Sequence, residues 1–243
     1  MSQPKLTLYQ YPGIQRGGTL SPPCGKVQMA LRYKGLEFEI KNLGTPNAVK
    51  RVNLRGRVPA LQIGETLVAD SSDILSELEA RFPDPPLEPA DPQLRLEALF
   101  WEDWADECLY FYAVYLRWVP AAHFAQLKQS VFSRLPWPMR AIVPIIAKRT
   151  VRHRLAGQGT GTKPEVVVWA EFRNALDRLD ARLAARSFLV GESLSRADLA
   201  VICILDQLLS ETIPPGLMSE LESRPALRAW RERVHALTPS AAN

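Results

Sequence analysis

The 243 residues carry 47% hydrophobic and 23% charged side chains and a net charge of +4, close to the globular average, which excludes disordered and fibrous classes. That length allows one large or two small domains with an ample core. No run approaches the ~18 apolar residues of a membrane span, and Met1-Ser2-Gln3-Pro4-Lys5 lacks the apolar region of a secretory signal.

Taken in order, Lys5-Leu6-Thr7-Leu8-Tyr9 reads as a short strand, and Gln10 to Leu20, with Gly13, Gly17 and Gly18, as a loop. Ser21-Pro22-Pro23-Cys24-Gly25-Lys26-Val27 then opens a helix to Tyr33. Ser21 stands at the N-cap and proline at the first helical position, where a missing N–H costs nothing. The N–H groups at such a helix start favour a thiolate or another anion. Lys34-Gly35-Leu36 ends the helix, and Glu37 to Ile40 alternates as a second strand. Arg57 to Ile63 and Thr66 onward, split by Gly64-Glu65, predict an antiparallel hairpin. Pro59 at the head of its first strand fits a cis bond that leaves the Val58 backbone open to a ligand. Asp70-Ser71-Ser72 caps the next helix, adding a second set of free N–H groups beside a hydroxyl.

Pro83-Asp84-Pro85-Pro86-Leu87-Glu88-Pro89 is a stiff linker, placing a domain over 1–82, a linker over 83–92 and a second domain over 93–243. Residues 93–119 contain no Gly or Pro. Trp101, Trp104, Cys108, Phe111, Tyr115 and Trp118 recur there at three- and four-residue spacing, so this stretch is predicted helical. Further helices are predicted over 121–134, 138–156, 165–186, 195–210 and 224–236. Gly157 to Lys163 lacks the residue order of a phosphate loop and reads as an inter-helix loop.

Strand, polar cap, proline and a cysteine on the first helical turn match the arrangement of a thioredoxin-like fold. Together with Val58-Pro59 and Asp70-Ser71, they make the chain resemble the glutathione transferase superfamily over nearly its whole length. The resemblance implies an α/β thioredoxin-like N-terminal domain followed by an all-α helical domain. It also implies that Ser21 faces the sulfur of glutathione, Val58 and Pro59 its cysteinyl backbone, and Asp70 and Ser71 its γ-glutamyl group. Ser21 would hydrogen-bond the thiolate and so lower a thiol pKa that is otherwise ~8.5. Gly191 to Asp198 resembles the family's C-terminal capping box, with Ser195 at the N-cap and Asp198 three residues on, a folding role. In such proteins the helix that carries Trp104, Cys108, Phe111 and Tyr115 also lines a pocket for a hydrophobic electrophile. Glutathione is then the cosubstrate, no metal is implied, and a homodimer is the family expectation.

Two features keep alternatives open. The loop from Gln10 to Leu20 is longer than the common pattern, a form shared with β-etherase-like transferases. The Ser-Pro-Pro-Cys-Gly-Lys form, with the basic stretch up to Lys163, is also similar to the metaxin and failed-axon-connections branch, and more loosely to membrane-associated prostaglandin E synthase relatives. A non-catalytic binding module is therefore one rival. The other is a thiol reductase acting through Cys24, because a thiol on a first helical turn can acidify. Cys108 and Cys203 read as core residues. Three widely spaced cysteines give neither a disulfide framework nor a zinc pattern, so a reducing cytoplasm is expected. Arg140, Lys148, Arg149, Arg152, Arg154 and Lys163 read first as a solvated helix face. A peripheral contact with anionic lipid is the second reading, and no nucleic-acid motif accompanies the charge.

Overall fold

A computed structural model describes residues 4–13, 17–208 and 216–239. They fall into two compact units. One comprises Met1–Glu102, Phe188–Cys203 and Arg231–Asn243; the other comprises Asp103–Ser187 and Ile204–Trp230. The division is thus not a single cut at the proline-rich stretch, because two later segments of the chain return to the first unit.

The first unit is built on a four-stranded sheet in the order β2-β1-β3-β4. Strand β1 (Leu6–Gln10) runs parallel to β2 (Glu39–Asn42), with Thr7 opposite Glu39. It runs antiparallel to β3 (Ala60–Ile63), with Leu8 opposite Leu61. The expected hairpin joins β3 to β4 (Thr66–Ala69) through Gly64, whose φ of 57° is one that glycine adopts without penalty. Helices α1 (Pro22–Tyr33) and α3 (Ser71–Arg81) pack their apolar sides into the core. Leu8, Val27, Ala30, Leu31, Leu61, Ile74 and Leu78 are all fully enclosed. Strand β2 begins two residues later than its alternation predicts, since pairing with β1 rather than the local pattern sets its register.

Between β2 and β3 lies a short helix not predicted from the sequence, α2 (Pro46–Val52). Its signal is Thr45-Pro46: the Thr45 hydroxyl accepts the Ala48 N–H at 3.2 Å, with proline on the first turn. Helix α4 (Pro92–Trp104) belongs to this unit up to Glu102, as does the start of α9 (Arg196–Leu208). The predicted capping box is present there. Asp198 accepts the Ser195 N–H at 2.9 Å and the Ser195 hydroxyl at 3.0 Å, and its other oxygen accepts the Leu189 N–H. Residues 209 and 210, at the predicted end of that helix, lie outside the described residues.

The second unit is helical: α5 (Tyr110–Trp118), α6 (Ala121–Val131), α7 (Met139–Gln158), α8 (Glu165–Leu183) and α10 (Gly216–Glu222), the last not predicted. Helix α11 (Pro225–Leu237) lies in this unit up to Trp230 and in the first unit from Arg231. The single helix expected over 93–119 is interrupted by a π-helical turn at Ala105–Leu109. Such a turn holds an extra residue and rotates the next helical turns relative to a 3.6-residue pattern. This corrects the reading of Cys108 as a core residue: it is exposed, whereas Cys203 is buried as expected.

Candidate active site

The site predicted on the first unit starts at the head of α1. Ser21 occupies the N-cap position with extended backbone, yet its hydroxyl makes no capping bond to the helix. The expected cap is therefore positional only, and the hydroxyl lies beside the sulfur of Cys24, one turn on.

Cys24 itself is fully buried. Burial pushes its thiol up to about 11, against hydrogen bonds from the Ser21 side chain, the Tyr11 backbone and Thr19 that pull the other way. At neutral pH this is a protonated thiol without solvent access. Its chemistry is the opposite of an acidified first-turn cysteine, because the desolvation outweighs the hydrogen bonds to the sulfur.

The loop before Ser21 is pinned from below. Gln10, at the end of β1, donates to the Gly18 carbonyl at 2.9 Å. Gln28 of α1 donates to the Gly17 carbonyl at 2.9 Å and to the Gln10 side chain at 2.6 Å. Thr19 donates its hydroxyl to the Tyr11 carbonyl and accepts the Ser21 N–H. The Gly13 N–H reaches the Gly18 carbonyl, and a Cβ on Gly13 would stand 2.5 Å from the Gly18 backbone, so only glycine fits. Residues 14–16 of this loop lie outside the described residues.

At the other side, the Val58–Pro59 bond is cis, as the sequence suggested. Among the described residues no backbone hydrogen bond ends on Val58, while the Pro59 carbonyl accepts the Asp70 N–H at 3.4 Å. Asp70 caps α3 by accepting the Ser72 N–H at 3.0 Å. Its φ of 92° is a left-handed value that non-glycine residues rarely adopt. Asp70 is exposed and Ser71 buried, so the cap presents a carboxylate to solvent beside an enclosed hydroxyl.

Beneath these two helix starts lies a charge network that no sequence motif singles out. Lys26 of α1 is 0% exposed and donates to Glu102 at 2.8 Å and to the Ser72 hydroxyl at 3.3 Å. Ser72 in turn donates to the same Glu102 oxygen at 2.7 Å. The second Glu102 oxygen accepts the Arg196 Nε, and Arg196 also reaches Glu88 at 2.7 Å and the Ser72 carbonyl at 3.2 Å. Burial pushes the Glu102 carboxyl up, but Lys26 and Arg196 outweigh it and hold the group below its usual value. The network ties the second turn of α1 and the first turn of α3, and with it Ser71, to one buried carboxylate.

The remaining candidates sit in the second unit or at its edge. Trp104 and Phe111 are half-buried, Tyr115 is buried and Cys108 is exposed, so they do not form one continuous stripe. No group of described His, Cys, Asp and Glu residues has the geometry to hold a metal ion.

Residues 17–86 match the family pattern of the glutathione S-transferase N-terminal domain, and residues 122–233 that of the C-terminal domain. Protein LigF of a Sphingobium species is 30% identical over 220 residues, covering 85% of this chain and 82% of LigF. The crystal structure of the beta-etherase LigF aligns with a TM-score of 0.66 at 25% identity, over 96% of this chain and 95% of that one. Tetrachloro-p-hydroquinone reductive dehalogenase of Sphingobium chlorophenolicum is 26% identical over 245 residues, 96% of this chain and 93% of that enzyme. With both domain patterns in order and a relative matched along most of its length, this chain belongs to the glutathione transferase family of enzymes.

Proposed function

We propose that the chain binds glutathione on its sheet-bearing unit and transfers the thiolate to a small hydrophobic electrophile. The observation that carries the reading is the Ser21 hydroxyl, which stands at the start of α1 without making a capping bond and can accept from the protonated Cys24 thiol while keeping its own proton for a ligand. A hydroxyl so placed donates a hydrogen bond to a bound thiolate, and the helix N-terminus adds favourable potential for the negative sulfur. The unengaged Val58 backbone suits an extended peptide's cysteinyl unit. The α3 N-terminus at Asp70 and Ser71 suits the charged γ-glutamyl end, with the Asp70 carboxylate answering its ammonium. Ser21 is the catalytic residue of this reading. Cys24, protonated and enclosed, is a packing residue.

The electrophile to test first is an aryl ether, since LigF, a beta-etherase, matches along most of its length. In that reaction the thiolate sulfur forms a bond to the carbon bearing the ether oxygen. The carbon–oxygen bond breaks, and the phenolate leaves with the electron pair and takes a proton from water. No oxidant or metal is needed.

Calorimetric titration with reduced glutathione tests the binding half. The wild type is expected to bind, and Ser71→Ala to weaken binding about tenfold, the loss of one hydrogen bond to a charged group. No heat at millimolar glutathione, with no shift in melting temperature, would overturn the reading.

A further inference from the structure

We propose that the exposed face of α7, together with the Trp137 turn before it, docks on an anionic lipid bilayer. A surface helix ordinarily turns its apolar stripe inward and its charges outward. Helix α7 does this only in part: Pro144 and Leu155 are its buried residues, while Ile142, Ile145 and Ile146 face solvent. Ile145 is 69% exposed, Ile146 60% and Trp137 72%. Isoleucine side chains so exposed on adjacent turns form a contiguous patch, and patches of this kind mark interaction surfaces.

The stripe changes character along the helix. Ile142, Ile145 and Ile146 lead at three- and four-residue spacing to Arg149, which shares their face, and Arg152 stands one turn further on. The N-terminal half therefore shows hydrocarbon and the C-terminal half shows guanidinium groups. Trp137 lies at the apolar end, with the Arg140 guanidinium 5.9 Å from its ring centroid. An indole beside a cation is the pair that settles at the headgroup level of a membrane.

Charge complementarity selects the occupant. Between Glu107 and Glu165 the sequence contains no Asp or Glu, whereas Lys and Arg recur throughout. The partner must then supply both negative charge and a medium for exposed hydrocarbon, which an anionic bilayer does over its whole surface. A second copy of the chain suits this face less well, since an isologous contact would set two segments of the same positive charge against each other, with no Asp or Glu in either to answer it. No described helix is long and apolar enough to cross a membrane, so the contact is peripheral.

Flotation with vesicles of phosphatidylcholine plus phosphatidylglycerol, against vesicles of phosphatidylcholine alone, tests the proposal. The full chain is expected to float with the anionic vesicles only and to be released by salt. A blue shift in tryptophan emission on binding is expected to disappear in Trp137→Phe. Arg149→Ala with Arg152→Ala is expected to weaken binding about 25-fold, roughly fivefold for each cation removed. Ile145→Ser with Ile146→Ser is expected to weaken it at least about tenfold. These side chains are exposed, so both variants should melt like the wild type. Absence of binding at low salt, equal binding to neutral vesicles, or unchanged binding by either folded variant would overturn the proposal. Loss of a dimer in Ile145→Ser with Ile146→Ser, seen by sedimentation without any vesicle binding, would overturn it in favour of a second copy.

Discussion

Two clusters of cations, one in each unit, are placed in opposite ways. In the sheet-bearing unit Lys26 and Arg196 are enclosed and converge on one carboxylate, Glu102. In the helical unit Arg149, Arg152 and Arg154 stand in solvent along the helix that also exposes its isoleucines. The same residue types are thus structural in one region and available to a partner in the other. Burial decides between the two: an enclosed charge must be answered within the fold, and an exposed one is answered by water or by whatever docks.

The largest expected effect breaks the enclosed side of that contrast. Glu102→Ala leaves the Lys26 and Arg196 charges buried without their shared carboxylate, which costs about 3–5 kcal/mol. Urea denaturation measures it, and a midpoint like that of the wild type would show that the network does not brace the fold. The pH dependence has a definite sign. The Glu102 carboxyl lies below its usual 4.5 in the folded protein, so the unfolded chain binds the proton more readily. Its stabilisation is complete above about pH 4.5 and is lost as pH falls through the lower folded value. In Glu102→Gln that part of the acid sensitivity is expected to vanish from a melting series.

What the sequence disclosed, and what it did not, divides along the same line. The start of α1 at Ser21-Pro22, the hairpin about Gly64, the Asp70 cap and the Ser195–Asp198 box are all local signals, and each is found in place. The Glu102 network joins residues 76 and 94 positions apart, and no local pattern announces such a pairing. One clue was present: Lys26 stands between Cys24 and Val27 on the inward side of α1, where a lone cation requires a buried partner. The π turn at Ala105–Leu109 was equally hidden, because an aromatic spacing of three and four looks regular whether or not a residue is inserted. Cys108 was misplaced for that reason. In α7 the cations were legible, but their isoleucine neighbours were not, since period alone does not say which side of a helix meets the core.

Next in size is the effect at Ser21. Removing a hydrogen bond to a charged sulfur costs about 1.5–3 kcal/mol, so Ser21→Ala is expected to lower kcat/KM some ~10- to 150-fold. Cys24→Ala, tested beside it, is expected to keep kcat/KM near that of the wild type while melting somewhat lower, as a small buried side chain is lost. The reverse pattern would move the chemistry to Cys24. Thiol titration sharpens the point without any substrate. Of the three cysteines, Cys108 is exposed and Cys24 and Cys203 are buried. A disulfide reagent at about pH 8 is expected to modify Cys108 quickly in the native protein and the other two only after unfolding. Prompt modification of Cys24 would contradict a thiol that burial has pushed up to about 11.

The smallest expected effect tests the exposed side of the comparison. Arg149 and Arg152 are exposed on α7, so replacing both with alanine is expected to change stability by no more than the ~0.5 kcal/mol scatter of surface substitutions. Arg196→Ala, by contrast, removes a guanidinium enclosed against Glu102, Glu88 and the Ser72 carbonyl, and is expected to cost about as much as Glu102→Ala. Measuring both by urea denaturation under one set of conditions compares identical chemistry in two surroundings. If the α7 pair destabilised the fold as strongly as Arg196→Ala, those cations would be structural after all. A helix that kept its stability while losing its charge would instead leave that charge free to meet a partner.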